Sequence, residues 1–200
     1  MISWFRLRRM ITRLSLIGLV LVASVWVFLM IFGLPPFPTL FPGLQKYANQ
    51  SAGFAVSYPN TWLLLETPNG SGGDPSIVVT ISYPKVTSPG IYVSISRSTT
   101  TYTSLLQVAD WGRQMSSKSQ NYQEISTANM NINGEDTMLQ EYTIQLPKSP
   151  LIGDSILQCL GNYRLHNNHG YVLTLCASRN DFSQTRPIFE KIIDSFFYLN

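Results

Sequence analysis

Two histidines and two cysteines come nearest to side chains whose type and spacing could do chemistry. His166 and His169 sit in the run His166-Asn-Asn-His-Gly170. Two imidazoles hold a divalent ion weakly; a durable site takes three or four ligands, and no Asp or Glu lies close by in sequence. At the tip of an Asn- and Gly-rich connection they read as solvated turn residues, so no metal is expected. Cys159 and Cys176 lie on the two arms around that run, Leu157–Leu165 and Tyr171–Ala177. A turn centred between Asn167 and Asn168 sets the two cysteines opposite each other across a strand pair. In an oxidising compartment they would form a disulfide, contributing ~3 kcal/mol in the chain-entropy model. The competing reading is two buried thiols acting as small hydrophobes.

Other motifs carry less. Gly70-Ser-Gly-Gly-Asp74 is glycine-rich like a phosphate-cradling loop but lacks the Lys-Ser/Thr that would contact phosphate, so it reads as a surface loop. There is no Gly-x-Ser-x-Gly, and neither histidine stands beside a serine or cysteine in a recognisable frame. Glu135-Asp136 follow Gly134 and read as solvated turn residues. These observations point away from an enzyme and call for no cofactor. The aromatics are more suggestive: Tyr58, Trp62, Tyr92 and Trp111 are candidates to line a groove or anchor an interface, with Tyr83, Tyr163 and Tyr171 beside them. For any one of them the competing reading is core or sheet packing.

The elements that must position these residues alternate between two periods. Phe54–Tyr58, Trp62–Glu66, Ile77–Ser82 and Ile91–Ser96 read as strands, the last with Ile91, Val93 and Ile95 on one face. Ser104-Leu-Leu-Gln107 fits a capping box opening a helix with Leu105, Val108, Ala109 and Met115 on its apolar stripe. Strand pattern returns at Tyr122–Met130, and Asn133-Gly134 supplies a tight hairpin turn before Thr137–Leu146. After the cysteine hairpin, a helix from about Ser183 carries Pro187 in its first turn and an apolar face of Ile188, Phe189, Ile192, Ile193 and Phe196. Strands, helix, strands, helix with hairpin-length connections predict an α+β domain: an antiparallel β-sheet flanked by helices.

The N-terminus predicts location. Arg6, Arg8, Arg9 and Arg13, with no acidic residue among them, precede Leu16–Gly33, a run without charge and with Ser24 as its one polar side chain. At 1.5 Å per residue such a run, extended by Ile11 or Leu14, crosses a hydrocarbon core of ~30 Å. The positive-inside rule keeps the arginines in the cytoplasm. A cleaved signal peptide is the alternative, but bulky Phe28 to Phe32 stand where cleavage needs small residues. The expected organisation is a cytoplasmic tip (1–13), a transmembrane signal anchor (14–33), a Pro-rich stalk (34–46) and an extracytoplasmic domain (47–200). Without the four arginines, the 14 Lys+Arg become ten against 11 Asp+Glu, so no basic surface for nucleic acid remains.

Gly53, Phe54, Tyr58, Pro59 and Trp62 form a Gly-Phe-x-x-x-Tyr-Pro-x-x-Trp pattern that resembles the opening of PsbP-like and DcrB-like domains. Gly170-Tyr171-Val172 and the terminal Ile192–Phe196 resemble those families more loosely. The resemblance implies an α/β/α sandwich around an antiparallel sheet and binding or assembly roles that are mostly non-enzymatic. Photosystem association does not carry over, and the family's metal-binding residues find no match here. The expected function is a membrane-anchored, extracytoplasmic, non-catalytic binding or assembly module. Its partners would be the bilayer, through the N-terminal helix, and an envelope or membrane protein. The alternative is a small-ligand-binding or hydrolytic domain using a cleft at the sheet edge.

Overall fold

The computed structural model describes residues 43–67, 76–84, 90–149 and 153–199. The expected tip and anchor, the stalk up to residue 42 and the glycine loop 70–74 lie outside the described residues. Among those described, no helix is long and apolar enough to cross a membrane. The elements run β1 (Leu44–Asn49), β2 (Phe54–Pro59), β3 (Leu63–Glu66), β4 (Ile77–Ser82), β5 (Tyr92–Thr101), α1 (Leu105–Ser116), β6 (Gln120–Ile132), β7 (Glu135–Ser149), β8 (Gly153–His166), β9 (His169–Ser178), α2 (Phe182–Ser195) and β10 (Phe197–Tyr198). Leu44, Gln45 and Lys46, assigned above to the stalk, are strand residues.

The strands form two antiparallel sheets rather than the one expected: β1-β2-β10, and the seven-stranded β3-β4-β5-β9-β8-β7-β6. Two-residue turns with both residues at positive φ close its β6–β7 and β8–β9 hairpins, Asn133-Gly134 and Asn167-Asn168. Such turns match the right-handed strand twist. The second is tighter than the five-residue connection expected, so His166 and His169 pair as strand residues instead of lying in the loop.

Strand alternation sends neighbouring residues to opposite faces of the large sheet. Tyr171, Leu173, Leu175 and Ala177 of β9 join the main core with Phe189, Ile192 and Ile193 of α2 and with the small sheet. Val172 and Tyr163 point the other way, to Val108 and Ala109 of α1. Close approach of α1 depends on Gly112, where an added Cβ would lie 2.2 Å from the Tyr163 ring. The α1 cap follows the sequence in part: Ser104 Oγ accepts from the Gln107 N–H at 3.4 Å. The Gln107 side chain, however, accepts from the Thr103 N–H at 2.9 Å rather than from Ser104. Helix α2 starts earlier than expected because Phe182 is buried in the main core, so Pro187 is an exposed residue of the second turn. Its ring there removes the N–H that would bond the Ser183 carbonyl.

Candidate functional site

A β-bulge shapes a half-open concavity beside α2. In β6, Glu124 pairs with Tyr142 and Ser126 with Glu141, leaving Ile125 as an extra residue. The inserted residue reverses the alternation. Tyr122 and Glu124 therefore face the α1 side, where both accept from Gln140 Nε2, at 2.9 and 2.7 Å. Ser126, Ala128, Met130 and Ile132 turn to the α2 side instead. With Leu139, Leu160 and Ile193 they form an apolar cleft of about 590 Å³ between β6, β7 and α2.

Its rim is charged by helical spacing. Arg186, Glu190 and Asp194 stand four residues apart along α2 and all line the cleft. Arg186 Nη1 donates to Glu141 Oε2 and its Nε to Glu190 Oε1, both at 3.0 Å. The bond to Glu190 and the nearby Glu141 charge raise the Arg186 pKa above its ordinary value, against the burial that lowers it. Glu141 is held from behind by Gln158 Nε2 at 2.5 Å. The exposed Asp194 carboxylate makes no hydrogen bond or ion pair among the described residues. Three lining carboxylates (Glu141, Glu190, Asp194) against one cation (Arg186) leave the cleft at −2. The Glu190–Asp194 pair is a like-charge i,i+4 arrangement costing about 0.2–0.5 kcal/mol. Asp194 also sits in a last helical turn that has no basic residue, the wrong end of the helix dipole for an anion.

Arg164 lies buried behind the cleft, outside its lining. It is 1% exposed, donating from Nε to Asn162 Oδ1 at 2.6 Å and from Nη2 to the Ile193 carbonyl at 2.7 Å. Nη1 lies 3.5 Å from Glu135, and the guanidinium stands 5.0 Å over the Phe196 ring. Burial pulls its pKa down, while the neighbouring Tyr198, Glu135 and Asp194 push it back up. Glu135 is thus the counter-ion of a buried arginine, correcting its reading as a solvated turn residue. This arrangement ties the β6–β7 turn to the C-terminal end of α2, as does Asn133 Nδ2 donating to the Asp194 carbonyl at 2.7 Å.

The other candidates are dispersed. Cys159 and Cys176 are directly paired in register and joined by a disulfide, Cα–Cα 4.2 Å, on the sheet face away from the cleft. Tyr58 and Trp62 are core residues, 7% and 5% exposed. Tyr92 is half-buried beside the disulfide cluster, where burial and the adjacent Tyr142 raise its pKa to about 12. Trp111 is half-buried against Tyr102, ring centroids 5.9 Å apart, in an open groove of about 840 Å³ with Arg113, Tyr122 and Glu124. The four aromatics form no common surface. His166 stacks on Tyr198 at 3.8 Å and 9°, so it is not a solvated turn residue either. Neither histidine lines either of these two concavities, and among the described residues no group of three His, Cys, Asp or Glu is placed to hold a metal. None of the charged rim residues was singled out from the sequence. The four-residue spacing of Arg186, Glu190 and Asp194 on the expected helix was the available signal.

Two antiparallel sheets with a helix on each face of the larger one, and a charged-rim cleft at its edge, define an α+β module whose distinctive surface is concave and amphipathic. The chain matches the PsbP family model over residues 42–198 and belongs to that family. Among solved structures, it is similar to cyanobacterial PsbP (CyanoP) from Synechocystis sp. PCC 6803, at 16% identity over 81% of this chain and 96% of that one, TM-score 0.60. It is also similar to LpqN, involved in cell envelope biogenesis of Mycobacterium tuberculosis, at 13% identity over 78% and 92% of the two chains, TM-score 0.50. A protein from Bacteroides thetaiotaomicron shares the fold at 12% identity and TM-score 0.51, over 78% of this chain and 48% of that one. No curated protein matches the chain in sequence.

Proposed function

We propose that this PsbP-family chain is a non-catalytic binding or assembly module, held on the outer face of the cytoplasmic membrane by residues 14–33, that engages an envelope or membrane protein through the cleft between β6, β7 and α2. The observation that carries the reading is the cleft: Ala128 and Met130 lie exposed over a buried floor of Leu160, Ile193 and Ile132, under a rim with more carboxylates than cations. A concave site with apolar lining and a few polar groups at its rim is the form that binding sites take. The arginines before the apolar run support the anchor and its orientation. The disulfide suits an oxidising compartment. The involvement of LpqN in cell envelope biogenesis makes an envelope partner a natural one for a chain of the same fold.

The test is crosslinking in intact cells from a photoreactive residue replacing Ala128, with one replacing the exposed Thr99 on β5 as control. A stoichiometric envelope protein captured from the cleft position and not from the control supports the reading. Capture equal at both positions, or at neither, sinks it. The cleft volume also falls within the ~300–1,000 Å³ typical of small-ligand sites. A small molecule retained on purification and displaced by an Ala128→Trp substitution would favour that second reading.

A further inference from the structure

β6 ends the large sheet, and among the described residues nothing pairs with its outer edge. Eleven of its thirteen residues are exposed, Ile125 and Met130 among them. Beyond the bulge, Ser126–Ile132 pairs with β7 in unbroken register from Ser126↔Glu141 to Ile132↔Glu135. Every second residue of such a run directs its N–H and C=O away from the partner strand, so about 20 Å of hydrogen-bonding edge faces solvent. Natural sheets blunt such edges with lysine, proline or a short strand. Gln120–Ile132 contains no Lys, Arg or Pro and carries one charge, Glu124. Its bulges lie outside the regular run.

We propose that Ser126–Ile132 accepts an extended segment of a partner protein as an eighth strand of the large sheet, and that this segment alternates apolar with basic residues. A strand added there lies along the open side of the cleft, and its pleat sends alternate side chains toward α2. Those side chains meet Glu190 and Asp194, two carboxylates on one helix face with a single arginine shared between Glu190 and Glu141. A lysine or arginine entering there relieves the repulsion between them and the mismatch of Asp194 with the helix end. Charge also separates this occupant from a second copy of the chain. A copied β6 would bring no cation to the rim, since that strand has none. The proposal rests on the binding reading above and names the kind of partner.

The experiment uses the full-length protein in detergent and a labelled peptide of about nine residues alternating valine and lysine. Companion peptides replace lysine with glutamate, or carry a central proline that deletes an edge hydrogen bond. The valine–lysine peptide is expected to bind, to slow amide exchange within Ser126–Ile132, and to lose about tenfold in affinity in a Glu190→Gln, Asp194→Asn double variant. Both companions are expected to bind far more weakly. Absence of binding overturns the proposal, as does binding that ignores the proline or the two carboxylates. Concentration-dependent protection of β6 without peptide, with a dimer by sedimentation, overturns it in favour of self-pairing. Cleft crosslinking to an envelope protein combined with no peptide binding retains the module and rejects strand addition. Peptide binding without cleft crosslinking retains strand addition at β6 and rejects an envelope protein as its partner.

Discussion

The centre and the edge of one sheet are built from opposite materials. At the centre, β8 and β9 bury Leu157, Leu160, Leu173 and Leu175 completely, carry the Cys159–Cys176 disulfide and enclose Arg164. At the edge, β6 has one neighbour, two bulges and a mostly exposed, uncharged run. Central strands are covered on both faces and hydrogen-bonded on both sides, so nothing there is left for a ligand. The edge keeps unused backbone groups and a cleft that α2 covers on one side. Stability and recognition are thereby separated within one sheet, and the Arg164–Ile193 and Asn133–Asp194 bonds connect them, holding α2 over the cleft.

Substitutions can break or sharpen this contrast. The largest effect is expected for Arg164→Ala, which leaves the Asn162 oxygen, the Ile193 carbonyl and Glu135 without their cation. About 3–5 kcal/mol should be lost in urea unfolding, from the cavity and the buried oxygens left unpaired, and a loss under 1 kcal/mol would erase the distinction between centre and edge. Next comes the double Cys159→Ala, Cys176→Ala variant. With the cysteines separated by 17 residues, the loop-closure estimate is about 3 kcal/mol. Reductant should lower the wild-type midpoint by a matching amount and leave the variant unmoved.

A third test uses pH. Burial raises the pKa of Tyr92 to about 12 and also pushes up Tyr142 and Tyr163, all three on the sheet face carrying the disulfide and α1. Unfolded tyrosines release their protons near pH 10, while the folded protein holds them. The native state thus binds more protons above that pH, and the stability present below it is lost as pH rises from about 10 toward 12. The slope approaches about 1.4 kcal/mol per pH unit for each such tyrosine. Urea midpoints flat across pH 10–11 would show the face to be open to water. The smallest effect belongs to the edge: Ile125→Ser, at an exposed bulge, should shift stability by no more than about 0.5 kcal/mol. A larger shift would mean that β6 is part of the folded core.

Much of the fold was legible because its signals are local. Alternation in Ile91–Ser96, the Ser104 cap and the Asn133-Gly134 turn are each set within a few residues. The register of Cys159 with Cys176 follows once the turn at Asn167-Asn168 is placed, because antiparallel pairing counts outward from it. The Gly53-Phe54…Trp62 pattern carried the family, which the match over residues 42–198 shows. The cleft was not legible. Glu141 meets Arg186 across 45 positions of sequence, and Arg164 of β8 meets Glu135 of β7. Nor does periodicity reveal that Tyr58 and Trp62 are enclosed while Trp111 stays half-open, since each sits in an equally apolar local context.

By itself, then, the sequence determined most of the elements (β1 and β10 apart), the hairpins at Asn133-Gly134 and Asn167-Asn168, the cysteine pairing and the family, all of which rest on short-range signals. Only the tertiary structure decided that the strands divide into two sheets, that β6 is an edge, and that the bulge at Ile125 turns Ser126–Ile132 toward α2. Those depend on the order in which distant strands close, and a one-residue insertion reverses every side chain beyond it while leaving the composition of the strand unchanged.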